Sequence, residues 1–320
     1  MAASSEGVAP PAAAARVAPL ERRFVAAVAD VLLLGLVGSI LGMLVGERIA
    51  PVGTAGRLWG LVLVVPYLGF FGSAAGGGQT FGKTLLKLRV VDASGQPLSL
   101  ARSTTRALVL AIPWFFNGLR FSLPGTGDFL FIAAASILFF GVLPASLGTL
   151  LLGREARQGV HDLVVGSFVV EAADMGRSVE ARTSRGLKVG AAVWVSLWAV
   201  SVPFQVRTAM RRPPDAMTER LAKLPHVTDA GLGMSTVRRF GRGQSAPQHI
   251  LQLTLFYDGP DEDVAATKRA AAAIVLSQAE GLGMASQMQL TLVRGWDLGI
   301  SRWQYSESET KTLDAWRTSD

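Results

Sequence analysis

The sequence contains no cysteine, which excludes disulfide bonds, a thiolate nucleophile and every cysteine-based metal site. Its three histidines, His161, His226 and His249, lie far apart in sequence, so a histidine metal cluster is not indicated and we expect no cofactor. Half of the 320 residues are hydrophobic, and the mean hydropathy is +0.36. Because runs of roughly 20 apolar residues can cross a bilayer, this composition predicts a membrane protein.

The apolar residues fall into five runs. We predict membrane spans at 24–45, 57–75, 107–121, 129–152 and 187–206. The third run is the shortest, and Pro113 interrupts it. Residues 1–20 are rich in alanine and proline and lack periodicity, which is typical of a disordered tail. The rival interpretation, a signal peptide, is weaker because the first apolar run begins only after Arg23 and carries Asp30.

Positive charge is concentrated in the membrane half of the chain. Residues 1–206 hold 17 Lys or Arg against 11 Asp or Glu, a net charge of +6, whereas residues 207–320 hold 14 against 13, a net charge of +1. Such an excess indicates membrane topology rather than nucleic-acid binding. It predicts a multi-pass protein of the cytoplasmic membrane with its N-terminus inside. Five spans then place residues 207–320 outside, and a re-entrant third span would place them inside.

Residues 207–320 carry alternating helix and strand patterns. We predict helices at 214–224 and 261–280 and strands at 226–240, 249–258, 287–298 and 300–306. This order is typical of a two-layer α+β domain. The segment contains no compact catalytic constellation, so we expect no enzyme. Its acidic corner, formed by Asp258, Asp261, Glu262 and Asp263, could bind Ca²⁺, but Asp and Glu also favour turns and first helical turns, which explains the corner better.

Residues 77–84, GGQTFGKT, fit the pattern of a phosphate-binding loop. That loop needs a strand before it and a helix after it. Here an apolar span precedes the pattern, and the β-like stretch LLKLRVVD follows it. We therefore reject nucleotide binding.

Asp30 is a charged residue about two turns inside the first apolar run. A charge in hydrocarbon costs several kcal/mol unless it is paired or hydrated. Arg23, seven residues earlier, shares its helix face but lies about 10 Å away along the axis, which is too far for a direct salt bridge. The candidate partners of Asp30 are therefore Arg106, at the start of the third span, and water.

Three blocks of the sequence resemble the RDD family of bacterial membrane proteins, named for an arginine and two aspartates. They are RRFVAAVAD at 22–30, GQTFGKTLLKLRVVDASGQPLS at 78–99 and RQGVHDLVVGSFVV at 157–170. The resemblance covers about residues 20–170 and implies a membrane domain whose motif positions are Arg23, Asp30, Asp162, Gly78, Thr80, Gly82 and Lys83. Arg106 resembles a further basic position. Some members of the family have been linked to cation/proton exchange.

From these residues we predict a polar cluster in the inner leaflet, formed by Arg23, Asp30, Arg106 and Asp162. The β-like stretches 85–92 and 163–171 would pair into a small cytoplasmic sheet, which would hold Asp162 beside Arg23 or Arg22.

Three further side chains receive structural interpretations. His161 could relay protons beside Asp162, but we expect it to orient the turn. Trp194 and Trp198 are expected to face lipid or the membrane interface.

The expected fold is an α-helical polytopic membrane domain of four spans plus a fifth, with a small cytoplasmic β element and a C-terminal α+β two-layer domain. Its segments are a tail at 1–20, the membrane domain at 21–175, a linker at 176–186, the fifth span at 187–206 and the soluble domain at 207–320.

Two functions remain open. The first is a scaffold, assembly or sensory component that binds a protein partner through residues 207–320. The alternative is a transporter that moves a small cation or proton by way of Asp30 and Asp162. The expected partners also include the lipid bilayer and a second copy of the chain, but no nucleic acid.

Overall fold

The computed structural model describes residues 14–117, 119, 127–210, 216–237, 248–277 and 285–318. The chain divides into two compact units. We name Met1–Leu36 with Leu58–Gln205 the membrane unit, and Val37–Arg57 with Val206–Asp320 the C-terminal unit. Each is described by itself.

The first two-thirds of the chain are mainly helical, because long apolar runs satisfy their backbone hydrogen bonds internally as helices. In chain order the elements are α1 (Leu20–Ile49), α2 (Gly56–Phe71), α3 (Phe81–Leu85), β1 (Leu88–Val91), α4 (Leu100–Phe116), α5 (Gly127–Ser136), α6 (Leu143–Leu152), α7 (Val160–Val165), β2 (Phe168–Glu171) and α8 (Arg185–Met210). A π-helical segment, Ile137–Val142, joins α5 to α6.

Among the described residues, four stretches are long and apolar enough to cross a membrane: Leu20–Val45, Gly53–Phe71, Ala133–Leu152 and Arg185–Phe204. The predicted helical membrane domain is therefore confirmed. The predicted third span corresponds to α4, which has 17 residues and is not one of these four. Its crossing of the membrane stays a prediction, as does the topology that depends on it.

The predicted small sheet is present. β1 and β2 pair antiparallel, with Arg89 opposite Val170. Both strands are shorter than the predicted stretches, because α3 continues to Leu85 and α7 takes up the residues before Gly166, whose φ of +62° ends that helix. The prediction of strand over 163–165 was wrong. Leucine and valine at those positions fit a helix as well as a strand, so the apolar pattern alone could not separate them.

The prediction of a disordered tail is wrong for residues 14–20. Val17 forms a β-bridge with Val170, and the Ala18 N–H donates to the carbonyl of Val169 at 2.9 Å. Ala15 and Ala18 are buried, because their small side chains let the backbone lie close against the sheet. Residues 1–13 lie outside the described part of the chain.

The segment predicted as a linker, 176–186, also packs against the membrane unit. The Val179 N–H donates to the carbonyl of Ala93 at 2.9 Å. The Thr183 hydroxyl donates to Oε1 of Gln158 at 2.8 Å, and both side chains are buried. Its polar composition predicts a linker, and the structure shows its polar groups bonded to residues outside the segment.

Trp194 and Trp198 of α8 contact the π-helical segment. The Trp194 indole N–H donates to the carbonyl of Phe140 at 3.0 Å, and Trp198 stacks on the Phe140 ring with centroids 5.3 Å apart. The Phe140 carbonyl would normally accept from the residue four positions later, but this is Pro144, which has no N–H. The indole N–H therefore donates to a carbonyl whose α-helical donor is absent. These tryptophans join helices as well as presenting an exposed surface.

In the described residues that follow α8, the C-terminal unit has a four-stranded sheet and three α-helices. Its elements are α9 (Ala216–Ala222), β3 (Val227–Val237), β4 (Gln248–Tyr257), α10 (Val264–Leu276), β5 (Ala285–Asp297), β6 (Arg302–Thr312) and α11 (Leu313–Arg317). The strand order is β3-β4-β5-β6; β4 and β5 are parallel, and the outer pairs are antiparallel.

Alternating residues of the central strands form the core of this unit. Leu253 and Leu290 point to one side of the sheet, where they pack with Leu221 of α9, Val275 of α10 and Trp316 of α11. All three helices thus cover one face, which gives two layers. The α+β two-layer prediction is confirmed.

Candidate functional site

The three sequence blocks of the membrane unit, at 22–30, 78–99 and 157–170, bring together two buried carboxylates, Asp162 and Asp30. Asp162 lies in the first turn of α7 and has no exposed surface, while Asp30 of α1 is 5% exposed. Each carboxylate needs hydrogen-bond donors, because a buried charge without them is very costly. We name the two groups of partners the Asp162 site and the Asp30 site.

Two arginines from different helices neutralise Asp162. Nη2 of Arg23, from α1, lies 3.1 Å from one carboxylate oxygen, and Nε of Arg106, from α4, lies 2.8 Å from the other. The Ser167 hydroxyl donates at 2.9 Å, and the Gly159 N–H donates at 3.3 Å. Both oxygens therefore accept two hydrogen bonds each, which leaves the group charged and fully satisfied.

The arginines fix the surrounding loops as well. Arg23 also donates to the carbonyl of Arg157. The neighbouring Arg22 instead pairs with Glu171 at the end of β2, at 2.6 Å, and donates to the carbonyl of Leu86 at 2.5 Å. The paired arginines thus have separate roles, and the partner of Asp162 is Arg23 rather than Arg22.

Electrostatics keep Asp162 ionised. Burial by itself would raise the pKa of its carboxyl, but the charges of Arg106 and Arg23 outweigh this and hold the pKa well below its usual range. His161, with Nε2 at 3.4 Å from Asp162, behaves differently. Burial lowers its pKa to about 4, despite the carboxylate. The ring is therefore neutral near pH 7, and its Nδ1 lies 3.3 Å from the Ser146 hydroxyl.

Neutral donors hold most of the Asp30 carboxylate. The hydroxyls of Tyr67 and Thr80 donate at 2.7 and 2.6 Å, and the backbone N–H of Gly82 donates at 2.8 Å. The Lys83 ammonium is 3.9 Å from the carboxylate and reaches it indirectly, by donating to the Thr80 hydroxyl at 3.1 Å. Among the described contacts, Arg106 bonds Asp162 and not Asp30, which corrects our candidate pairing.

Close packing at Gly82 makes the Asp30 site possible. A Cβ added there would lie 1.9 Å from the carbonyl oxygen of Ala26, one turn before Asp30 on α1. Only glycine lets α3 approach α1 so closely. The other motif glycine, Gly78, has a φ of +72°. Its N–H donates to the carbonyl of Ser73 and its carbonyl accepts from the N–H of Val90, so it turns the chain into the small sheet.

Lys83 links the two sites electrostatically. Burial and the positive charge of Arg106 together lower its pKa to about 8, although the negative charge of Asp30 opposes the shift. The predicted four-residue cluster is thus two adjacent sites: Arg23 and Arg106 contact Asp162, while Asp30 is bound by residues of the second motif block. Sequence reasoning missed Tyr67, Thr80 and Ser167 as ligands of these carboxylates.

The residues of the phosphate-loop pattern surround a carboxylate of the protein itself. Thr80, Gly82 and Lys83 are donors of the kind that cradle a phosphate in such loops, and here they surround the carboxylate of Asp30. A helix and turn, rather than a strand, precede the pattern, as expected when nucleotide binding was rejected.

Few features of the described residues suggest a metal or small-molecule site. No group of three or more His, Asp or Glu is placed to hold a metal ion among them. The acidic corner of the C-terminal unit is engaged instead by Arg294, which pairs with Asp261 and donates to the carbonyl of Gly259 at 2.7 Å.

Comparison with known proteins finds one similarity, in the first half of the chain. Residues 17–166 match the RDD family. No curated protein and no solved structure matches the chain. The matched range contains α1 through α7, and with them both carboxylates and all of their described partners except Ser167. Over residues 17–166, a little under half of the chain, the sequence is therefore similar to the RDD family.

Proposed function

We propose that this protein is a membrane scaffold, in which the RDD-family domain is a rigid base for a C-terminal domain that binds a protein partner. The observation that carries this proposal is the saturation of Asp162, whose two oxygens accept four hydrogen bonds from four parts of the domain. A carboxylate that carries protons or ions must release its partners in each cycle. One that is fixed between two buried arginines acts instead as a permanent cross-link.

The proposed location is the cytoplasmic membrane of a bacterium, with the N-terminus inside and the C-terminal domain outside. Its support is the charge distribution, fourteen Lys or Arg on inner segments against three in the outer loops. We propose a binding rather than a catalytic role, since the described buried charges are held in ion pairs within the fold.

Site-specific photo-crosslinking in intact membranes tests the scaffold proposal. A photoreactive residue would replace Gln252, exposed on the open face of the sheet, or Arg269, exposed on α10. A partner that docks on one layer gives a discrete heavier adduct from one position and not from the other. The absence of a discrete adduct from either layer, at normal expression, would contradict the proposal.

The second candidate function is proton-coupled cation exchange, and the Asp30 site favours it. Lys83 has a pKa of about 8 and lies 3.9 Å from Asp30, so this buried pair could exchange a proton near neutral pH. Purified protein in liposomes with a pH gradient decides between the two functions. A cation-dependent flux that Asp30→Asn abolishes, without loss of folded protein, would replace the scaffold by an exchanger.

A further inference from the structure

The hairpin between β5 and β6 packs on the ends of two apolar helices within the C-terminal unit. The Ser301 hydroxyl is 2.9 Å from that of Ser39 in α1. Asp297 pairs with Arg57, at the start of α2, at 3.0 Å, and both side chains are largely buried. The ring of Trp296 occupies the space beside Gly42, where an added Cβ would lie 2.0 Å from it. The hairpin tip is thus seated on α1.

This contact fixes the height of the hairpin relative to the bilayer. The apolar stretch of α1 ends at Val45, six residues after Ser39. At 1.5 Å per residue these two positions are about 9 Å apart along the helix. The hairpin tip therefore lies about 9 Å inside the end of the apolar stretch, on whichever side the C-terminal unit occupies.

Two large aromatic side chains follow the tip on β6. Trp303 and Tyr305 are 51% and 53% exposed, although Trp296, paired with Trp303 across the strands, is buried. They lie two and four residues beyond Ser301, so they are at most about 7 and 14 Å from it, and they point to the same face of the strand. The headgroup layer extends roughly 5–8 Å beyond the hydrocarbon. With the tip about 9 Å inside the end of the apolar stretch, Trp303 reaches to within about 2 Å of that end and Tyr305 to about 5 Å beyond it, into the headgroup layer.

We propose that Trp303 and Tyr305 form an aromatic anchor that inserts into the lipid headgroup layer and holds the C-terminal unit against the membrane surface. Tryptophan and tyrosine suit this layer because each has an apolar ring and a polar group that stays hydrated. The anchor continues the contact that Trp296 and Ser301 make with a membrane-spanning helix. The competing hypothesis is that a protein partner, rather than lipid, covers these two side chains.

The absence of cysteine makes a direct test straightforward. Trp303→Cys and Tyr305→Cys would each be labelled with an environment-sensitive fluorophore in the full chain and reconstituted into lipid vesicles without any other protein. We expect the emission of the attached dye to be blue-shifted relative to the same dye free in water. We also expect its intensity to fall when the vesicles contain lipids brominated near the headgroup. Because both leaflets carry bromine, the orientation of the protein does not affect the result.

The matched control is Thr310→Cys, an exposed position on the same strand, about 24 Å further along it than Trp303. The dye there should show neither the blue shift nor quenching by brominated lipid. Equal quenching at positions 303 and 310, or none at 303 and 305, would overturn the anchor. Gel filtration before reconstitution confirms that each variant is folded, and none of these outcomes depends on whether the protein binds a partner or transports an ion.

Discussion

The two buried carboxylates of the membrane unit are compensated in different ways. Asp162 faces two arginines at 3.1 and 2.8 Å, whereas Asp30 has two hydroxyls and a backbone N–H, with its nearest cation 3.9 Å away. Full charges from two separate helices, α1 and α4, hold Asp162 firmly in place. Neutral dipoles satisfy a carboxylate while leaving it close to a titratable lysine. The first arrangement suits rigidity, and the second retains the capacity to change.

The largest effect should come from Asp162→Ala. It leaves Arg23 and Arg106 buried without their counter-charge, and breaking a buried ion pair in this way costs about 3–5 kcal/mol. Thermal unfolding in detergent should show a much lower transition temperature, or no folded protein. Glu155→Ala, an exposed acidic position in the preceding loop, should leave the transition unchanged. Equal behaviour of the two variants would show that Asp162 is not a cross-link.

Gly82→Ala should have the next largest effect. The added Cβ would collide with the carbonyl of Ala26, so α3 must move away from α1 and the Gly82 N–H must leave Asp30. Overpacking of this kind costs about 1–3 kcal/mol. The control is Gly148→Ala in α6, where an added Cβ meets nothing within 4 Å. That change should be neutral or mildly stabilising, because alanine favours helix. A neutral Gly82→Ala would contradict the close packing.

A smaller loss of about 1–2 kcal/mol is expected for Asp30→Asn. The amide oxygen still accepts from Tyr67 and Gly82, and the Thr80 hydroxyl can rotate to accept from the new amide. Lys83, however, loses its neighbouring negative charge. The comparison of the two sites is sharpened by measuring Asp162→Asn in parallel, which should be clearly more destabilising. The reverse order would mean that Asp30 is the main cross-link.

The smallest effect concerns pH and His161. Its folded pKa of about 4 lies below the unfolded value of 6.5, so the unfolded chain binds the extra proton first. Stability is therefore fully present above pH 6.5 and is lost as the pH falls toward 4. Between pH 7 and pH 6 the loss should be about 0.7 kcal/mol. His161→Gln should remove this dependence from a series of unfolding curves, and an unchanged pH profile would assign it to another group.

Some of this architecture follows from the sequence by simple geometry. The axial distance between Arg23 and Asp30 excluded a direct pair, and the β-like stretches correctly placed Asp162 beside Arg23. The partners of Asp30 could not be found by matching opposite charges, because three of them are neutral. The sequence did contain a useful signal. The pattern GGQTFGKT is of a kind that binds an anion, and the carboxylate of Asp30 is an anion.

Other features depend on contacts that local patterns do not encode. Ala15 and Ala18 look like part of a low-complexity tail, and their packing becomes evident only once β2 offers an edge to Val17. The alternating strands of the C-terminal unit were predictable because one face is covered by helices and the other is open. The parallel pairing of β4 with β5 requires the crossover through α10, which sequence order alone suggests but does not fix.

The π-helical segment also determines the direction in which the side chains of α6 point. Each residue of an α-helix turns the chain by about 100°, so one extra residue accommodated by the segment at 137–142 rotates α6 relative to α5. With this phase, the Ser146 hydroxyl accepts from the Val160 N–H at 3.1 Å and lies beside His161. Removing one residue from the segment would turn Ser146 toward a different neighbour. The π-helical turn thus orients α6 so that Ser146 contacts the residues that precede Asp162.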